Sequence, residues 1–201
     1  AFAVLPVRVR PYERNDHVTG SFFYGIQGGR GFGSGDARGE IYAFGLERET
    51  AAGDERRHTL GARASSTLAG TRFDLEGEAA WQFGHVGPED ISAGMVSTQL
   101  GYWIQEWRIS PRFFLGADWA SGDRSTGGDV ALFDQLFPLG HAYFGIADLV
   151  ARQNVIGLSA GLTLRPHPAL VAELAVHHFR RAGRGSGWFN AAGAQIRPAA
   201  P

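Results

Sequence analysis

Hydrophobic and polar residues alternate along most of this chain. The clearest example lies between positions 73 and 83, where apolar residues occupy the odd positions and polar residues most of the even ones. One face of this segment carries Phe73, Leu75, Gly77, Ala79, Trp81 and Phe83, and the other carries Asp74, Glu76, Glu78, Ala80 and Gln82. A period of two is that of a β-strand, because successive side chains of a strand point to opposite faces. The segment is therefore predicted to be a strand with one apolar and one acidic face.

The same alternation predicts about nine strands, separated by breaks rich in Gly, Pro, Asp or Asn. They lie near residues 1–11, 20–28, 39–50, 57–68, 72–84, 90–104, 110–121, 153–165 and 170–180. In the third strand, Tyr42, Phe44 and Leu46 form the apolar face opposite Ala43, Gly45 and Glu47. Most segments reach the roughly 9–11 residues that a tilted strand needs to cross a bilayer, whereas a typical soluble strand has about 5–6. Their length favours strands that span a membrane.

The connections between these strands are of two kinds. Those at 69–71, 105–109 and 166–169 are tight, whereas residues 122–152 form a long segment that is rich in Gly and Asp and then aromatic. Short turns at one end and longer loops at the other are typical of outer-membrane barrels. Two linkers depart from this scheme, because 28–38 is longer than a turn and 84–90 is shorter than a loop.

These features predict an all-β fold, an antiparallel up-and-down transmembrane β-barrel formed by a single domain over residues 1–201 with a long loop at 122–152. The predicted barrel is incomplete, because single-chain bacterial barrels have even strand numbers and open edges do not survive in lipid. We therefore expect truncation at both ends of the chain. A soluble β-sandwich, such as a carbohydrate-binding module, also alternates and is the alternative interpretation.

Composition excludes several other classes. No run approaches the roughly 18 apolar residues that a membrane helix needs. Cysteine is absent, so neither disulfides nor thiolate metal sites can form. Every basic residue among the 19 is an arginine, but the net charge of −1 provides no broad basic field for nucleic acid.

Catalytic, metal and cofactor sites are not predicted. Glu76 and Glu78 resemble a glycosidase pair, but neighbours at this spacing on one strand are usually wall residues. His177 and His178 would point to opposite faces of a strand and so could not chelate one metal ion together. The glycines between 28 and 35 imitate a phosphate loop, but no helical pattern follows them. An outer-membrane enzyme, the third hypothesis, therefore lacks a recognisable site.

Several stretches of the chain resemble the alginate export family of outer-membrane proteins. They are residues 55–63, 73–76 with 81–84, 120–123, 133–138 with 141–145, 162–168 and 177–179. The resemblance implies a barrel of about twice this length in the outer membrane of a Gram-negative bacterium, with the missing strands mainly N-terminal. It also implies passive export of an anionic polysaccharide, although fold transfers between relatives better than cargo. Another small polar solute and periplasmic delivery partners are left open.

A pore for a polyuronate needs arginines, because their guanidinium groups bind carboxylates in fixed geometry and remain charged. The candidate pore-lining residues are Arg8, Arg10, Arg63, Arg112 and Arg165, with Glu76, Glu78 and Asp118 on the same polar face. The acids could instead pair with the arginines across neighbouring strands, which would leave little anion preference. In the long loop, Asp134, Phe137, His141 and Tyr143 are the candidates for a constriction folded over or into the lumen.

Overall fold

The computed structural model describes residues 1–8, 12, 14–33, 36–125, 127–137 and 143–199, without the Arg8 side chain. Its strands are β1 (Phe2–Val4), β2 (Val7–Arg8), β3 (Asp16–His17), β4 (Ser21–Phe32), β5 (Ala37–Thr50), β6 (Gly53–Thr67), β7 (Phe73–Val86), β8 (Glu89–Trp103), β9 (Arg112–Ala120), β10 (Val155–His167), β11 (Leu170–Arg180), β12 (Trp188–Phe189) and β13 (Gln195–Arg197). Among these residues, no helix is long and apolar enough to cross a membrane.

One large sheet contains nine of the strands in the order β1, β4, β5, β6, β7, β8, β9, β10, β11. Every neighbouring pair is antiparallel, and the sheet is open rather than closed on itself. The prediction of an all-β, up-and-down antiparallel sheet of about nine strands is therefore confirmed. The two packed layers that a sandwich requires are absent from the described residues, which otherwise contain only the pairs β2–β3 and β12–β13.

Two strand boundaries differ from the prediction. The first predicted strand, 1–11, contributes only β1 to the sheet, and the chain then passes Pro6, which has no N–H to donate to a ladder. β2 pairs with β3 instead, and residues 9–11 lie outside the described part. β4 continues through the glycines to Phe32, so only four residues, 33–36, separate it from β5. Glycine interrupts the hydrophobic alternation but not the ladder, which explains the error.

The two faces of the sheet differ in polarity. One face, which we call the outer face, exposes large apolar side chains on neighbouring strands. They include Leu60, Leu75, Trp81, Leu100, Leu115, Trp119, Leu158, Leu174 and Val176. The other, which we call the inner face, carries Arg63, Glu78 and Gln82 and is covered by other parts of the chain. An apolar outer face against a polar inner face is the arrangement of a transmembrane barrel wall.

The orientation of β5 differs from the prediction, which placed its apolar residues on the same face as those of the other strands. Its apolar residues Tyr42, Phe44 and Leu46 lie on the inner face, not with the apolar residues of the outer face. The register explains this, because Tyr42 is paired with Gly61 and lies beside Gln27, both in line with inner-face positions. Ile41, which is 70% exposed, and Ala43 occupy the outer face instead.

The hydrophobic core lies between the inner face and the segment from 121 to 154, here called the long loop. Phe133 of the loop packs with Ala80, Ala93, Met95 and Val155 of the sheet. Val130 is also held by main-chain bonds, because its N–H donates to the Asp90 carbonyl at 2.7 Å and its carbonyl accepts from Ser92 N–H at 3.0 Å. The described parts of the long loop, 121–125, 127–137 and 143–154, are thus folded onto the sheet and contribute to the core.

Candidate functional site

A cavity of about 440 Å³ lies between the inner face and the long loop. Strands β4 to β8 supply one wall, and residues 133–137 and 143–152 of the loop supply the other. Its volume falls within the roughly 300–1,000 Å³ of pockets that bind small molecules. The cavity is therefore the candidate functional site of the described residues.

One side of the cavity is a chain of aromatic rings, which we call the aromatic row: Phe2, Phe23, Phe44, Tyr42 and Phe137. The centroids of Phe2 and Phe23 are 5.1 Å apart, those of Phe23 and Phe137 4.8 Å, and those of Tyr42 and Phe44 4.8 Å. Spacings of this size are those of favourable aromatic pairs. Phe137 remains 56% exposed, so the row presents ring surface to the cavity.

Glycines on neighbouring strands allow two of these rings to lie flat on the sheet. A Cβ at Gly61 would be 2.2 Å from Tyr42 Cζ, and one at Gly25 would be 2.4 Å from Phe44 Cδ1. Rings that cover glycines on the adjacent strand also pin the register of a sheet. The position of Tyr42 brings its hydroxyl to Glu78, to whose Oε1 it donates a hydrogen bond at 2.6 Å.

We expect Gly61→Ala to displace the Tyr42 ring and break its bond to Glu78. The added methyl overpacks the site, so the free energy of unfolding should fall by about 1–3 kcal/mol, measured by urea unfolding in detergent. Gly77→Ala is the matched control, because its Cβ would meet nothing closer than Ser97 O at 3.7 Å. Equal stability of the two variants would contradict the proposed packing, whereas Tyr42→Ala should remove most of the extra penalty of Gly61→Ala.

The charged residues around the cavity are mainly acidic. Glu40, Glu78, Asp134 and Asp148 line it, against the two guanidinium groups of Arg63 and Arg152. Besides the bond from Tyr42 to Glu78, Gln27 Nε2 donates to Glu40 Oε2 at 3.3 Å. Among the described residues, carboxylates thus outnumber guanidinium groups in the lining, although Asp134 is also bound by Arg48 from outside it.

Arg152 reaches the inner face from the end of the long loop. Its Nη2 donates to Asp118 Oδ1 at 2.9 Å and to Ser97 Oγ at 3.3 Å. The guanidinium carbon lies 4.2 Å from the centroid of the Tyr143 ring, in cation–π geometry. The residue is only 8% exposed, and its Nε lacks a hydrogen-bond partner among the described residues.

Gln82 attaches the loop to the wall by pairing with the main chain of Asp134. Its Nε2 donates to the Asp134 carbonyl at 2.7 Å, and its Oε1 accepts from the Asp134 N–H at 2.9 Å. The Gln82 side chain is fully buried and also donates to Thr59 Oγ1 at 3.1 Å. This amide thus fixes the position of Asp134 without using its carboxylate.

A buried ion-pair network supports the same attachment. Arg48 donates to Glu55 Oε2 and to Asp134 Oδ2, both at 2.7 Å. Arg57 donates to Glu55 Oε1 at 2.6 Å and to Gln82 Oε1 at 2.9 Å. Glu55 and Arg57 are almost completely buried. Buried charges require such partners, because isolated charges are costly in a low dielectric.

A second polar cluster ties the loop to residues 181–199, which we call the C-terminal segment. Asn154 Nδ2 donates to the carbonyls of Gly183, Ser186 and Gly187 at 3.2, 2.8 and 3.0 Å, and its Oδ1 accepts from Gly183 N–H at 2.6 Å. Asp123 accepts from Ser186 Oγ at 2.7 Å. The loop and the C-terminal segment are therefore held as one packed layer.

The comparison with known families decides the identity of the fold. The sequence profile described as alginate export matches residues 1–200. The chain belongs to the alginate export family. This confirms the resemblance found in the sequence and identifies the chain with a family of outer-membrane transport proteins. No curated protein and no solved structure was found to match the chain.

Within this family member, three predicted arginines lie along the inner face. Arg63 pairs with Glu76. Arg112 binds Asp74 through two hydrogen bonds of 2.9 and 2.5 Å, and its Nη2 also donates to Gln99. Arg165 lies over the Trp103 ring at 5.1 Å. Pairing with acids across neighbouring strands, the alternative considered for these residues, thus describes Arg63, and Arg112 pairs with an acid two strands away.

The other predicted residues are distributed unevenly. Glu78, Asp134, Phe137 and Tyr143 line the cavity. Asp118 lies beneath Arg152. Arg8 belongs to β2 and is outside the large sheet, and its side chain is not among the described atoms. Arg10 and His141 lie outside the described residues.

Sequence reasoning missed Arg152, Gln82, Asn154 and Arg57. Gln82 was placed correctly on the polar face of its strand, but nothing in an alternating pattern shows which loop residue such an amide will bind. Arg152 and Asn154 follow a segment without periodicity. The only signal was the aromatic composition of 133–144. Among the described residues, no group of three or more ionisable side chains could hold a metal ion.

Proposed function

We propose that this protein is an outer-membrane pore of a Gram-negative bacterium through which a saccharide diffuses passively. The observation that carries the proposal is the division of the sheet into an apolar outer face and a charged inner face that holds a cavity. The apolar outer face suits contact with lipid, and the charged inner face suits contact with a hydrated polar solute. Membership of the alginate export family supports the same conclusion.

The long loop would act as the constriction of this pore. Phe133, Phe137 and Tyr143 of the loop face the strands across the cavity, and Gln82 holds the loop against the wall. A loop folded into the lumen narrows the path and places its side chains against the solute. The conformational freedom of the long loop at this constriction would set the conductance of the pore.

An anionic polysaccharide is the cargo that the family description offers, and arginines would recognise its carboxylates. Arg63 and Arg112 already bind carboxylates of the wall, however, so their charge is largely compensated. Arg165 lies against Trp103 and is exposed. The wall therefore favours a polar saccharide pathway with weak anion preference.

Single-channel recording of the full-length protein in planar bilayers tests the pore directly. We expect steady conductance in the wild type and higher conductance when residues 122–153 are replaced by an Asn-Gly turn. The replacement is geometrically simple, since Ala120 and Val155 are directly paired in adjacent strands.

A milder variant, Gln82→Leu, guards against misfolding of the shortened protein. It removes the amide that holds Asp134, so the open current should fluctuate more than in the wild type. Thr98→Leu on the outer face is the control. Absence of any channel in the wild type would contradict the pore, and unchanged currents in both loop variants would contradict the constriction.

A further inference from the structure

The cavity is chemically unlike a site for a polyanion. Its lining includes two arginines and four carboxylates, of which Asp134 is already bound by Arg48. Both arginines are already bound to further carboxylates, Arg63 to Glu76 and Arg152 to Asp118. A uronate entering here would have to compete for these cations while facing Glu40 and Glu78. Like charges at close range oppose binding.

The remaining features are those that an uncharged sugar can use. Carboxylate oxygens are strong hydrogen-bond acceptors for hydroxyl groups. Among the described residues, Glu40 accepts a side-chain hydrogen bond from Gln27, and Glu78 accepts one from Tyr42. A carboxylate can accept several more hydrogen bonds. The opposite side of the cavity is the aromatic row, with Phe137 about half exposed. Its ring surface suits the apolar C–H face of a pyranose.

We propose that this cavity is a binding site for an uncharged saccharide and discriminates against its uronate counterpart. The inference deepens the proposed function and rests on it for physiological meaning. The sugar hydroxyls donate to Glu40 and Glu78, and the ring packs on Phe137 and its aromatic neighbours. Arg63 and Arg152 orient the wall rather than neutralise the cargo.

Equilibrium binding to the full-length protein in detergent tests the proposal without requiring conduction. The probes are β-1,4-linked mannotetraose and tetramannuronate, which differ only in the oxidation state of C6. Isothermal titration calorimetry should show tetramannuronate binding at least about tenfold more weakly than mannotetraose at low salt. The discrimination should shrink at higher ionic strength, because salt screens the repulsion.

Two pairs of substitutions assign the effect to the cavity. Glu40→Gln with Glu78→Gln keeps acceptor oxygens but removes charge, so the two probes should bind within about threefold of each other. Glu89→Gln with Glu173→Gln removes the same charge away from the cavity and should preserve the wild-type ratio. Phe137→Ala should weaken the binding of mannotetraose about fivefold. Trp107→Ala, in the remote turn 104–111, should leave this binding unchanged.

Equal or tighter binding of tetramannuronate by the wild type would overturn the proposal, and so would failure of both probes to bind. Retention of the discrimination in Glu40→Gln with Glu78→Gln would also overturn it. These outcomes are independent of the pore, which fails only if the wild type forms no channel. A conducting protein that prefers tetramannuronate would therefore retain the proposed function and lose this inference.

Discussion

Asn154→Gly should release the C-terminal segment from the long loop. Asn154 has a φ of 49°, in the left-handed region that glycine adopts freely, so the substitution removes the amide without straining the backbone. It breaks four hydrogen bonds and leaves buried carbonyls of residues 183, 186 and 187 without this donor. Unsatisfied buried groups cost about 1–3 kcal/mol each, although the costs are not additive.

Trypsin cleavage after Arg181 and Arg184 measures this release, with the products identified by mass spectrometry. Cleavage follows the population of the opened segment when opening is fast. We expect a rate about a hundredfold above that of the wild type, which corresponds to about 3 kcal/mol of local stability. The control is Asn190→Gly, which removes a single bond to Ala194 N–H in an exposed turn. Cleavage of Asn154→Gly at the wild-type rate would contradict the proposed anchoring.

The strands were the most predictable part of the molecule. β6, β7, β9 and β10 alternate over most of their length, and their faces are as the pattern indicated. A pattern in one strand fixes which residues lie together but does not say which set points inward. The apolar set of β5 was therefore assigned to the wrong face, because only the contacts of Tyr42 with Gly61 and Glu78 reveal its direction.

The site was less predictable than the wall. Its second wall is a loop, and loop positions follow from contacts with residues distant in sequence. Gln82 and Asp134 are 52 residues apart, and Asn154 and Ser186 are 32 apart. Composition indicated that residues 133–144 were unusual, but it could not show that Phe133 joins the core while Phe137 remains exposed.

Charge pairing links these observations to function. The sequence left two roles open for the arginines, and the structure gives both Arg63 and Arg112 a carboxylate partner. The partner of Arg63 is on the neighbouring strand β7, whereas Arg112 of β9 reaches across β8 to Asp74 of β7. Arg48, Arg57 and Arg152 are likewise paired around the loop. Much of the positive charge therefore stabilises the wall and its loop. In the proposed pore, selectivity would then depend on the described residues that face the cavity, among which acidic and aromatic side chains are prominent.

Arg57→Met should be the most destabilising substitution in the loop attachment. Its side chain is 5% exposed and binds Glu55, Gln82 and the Leu132 carbonyl. Methionine retains much of the apolar stem of the arginine. Among the described residues, Arg48 is then the one cation that still pairs with Glu55. Breaking a buried ion pair by removing one partner costs about 3–5 kcal/mol. The free energy of unfolding in urea, measured in detergent, should fall by about this amount.

Arg72→Met is the control that distinguishes the effect of losing a buried arginine from the effect of losing a positive charge. Arg72 pairs with Glu106 at an exposed position between β6 and β7, where ion pairs contribute only about 0–1 kcal/mol. A double substitution, Glu55→Gln with Arg57→Met, should recover part of the stability because it removes the buried carboxylate that Arg57→Met leaves undercompensated. Equal stabilities for Arg57→Met and Arg72→Met would contradict the buried network. Recovery in the double variant would show that the cost arises from uncompensated charge rather than from the shape of the Arg57 side chain.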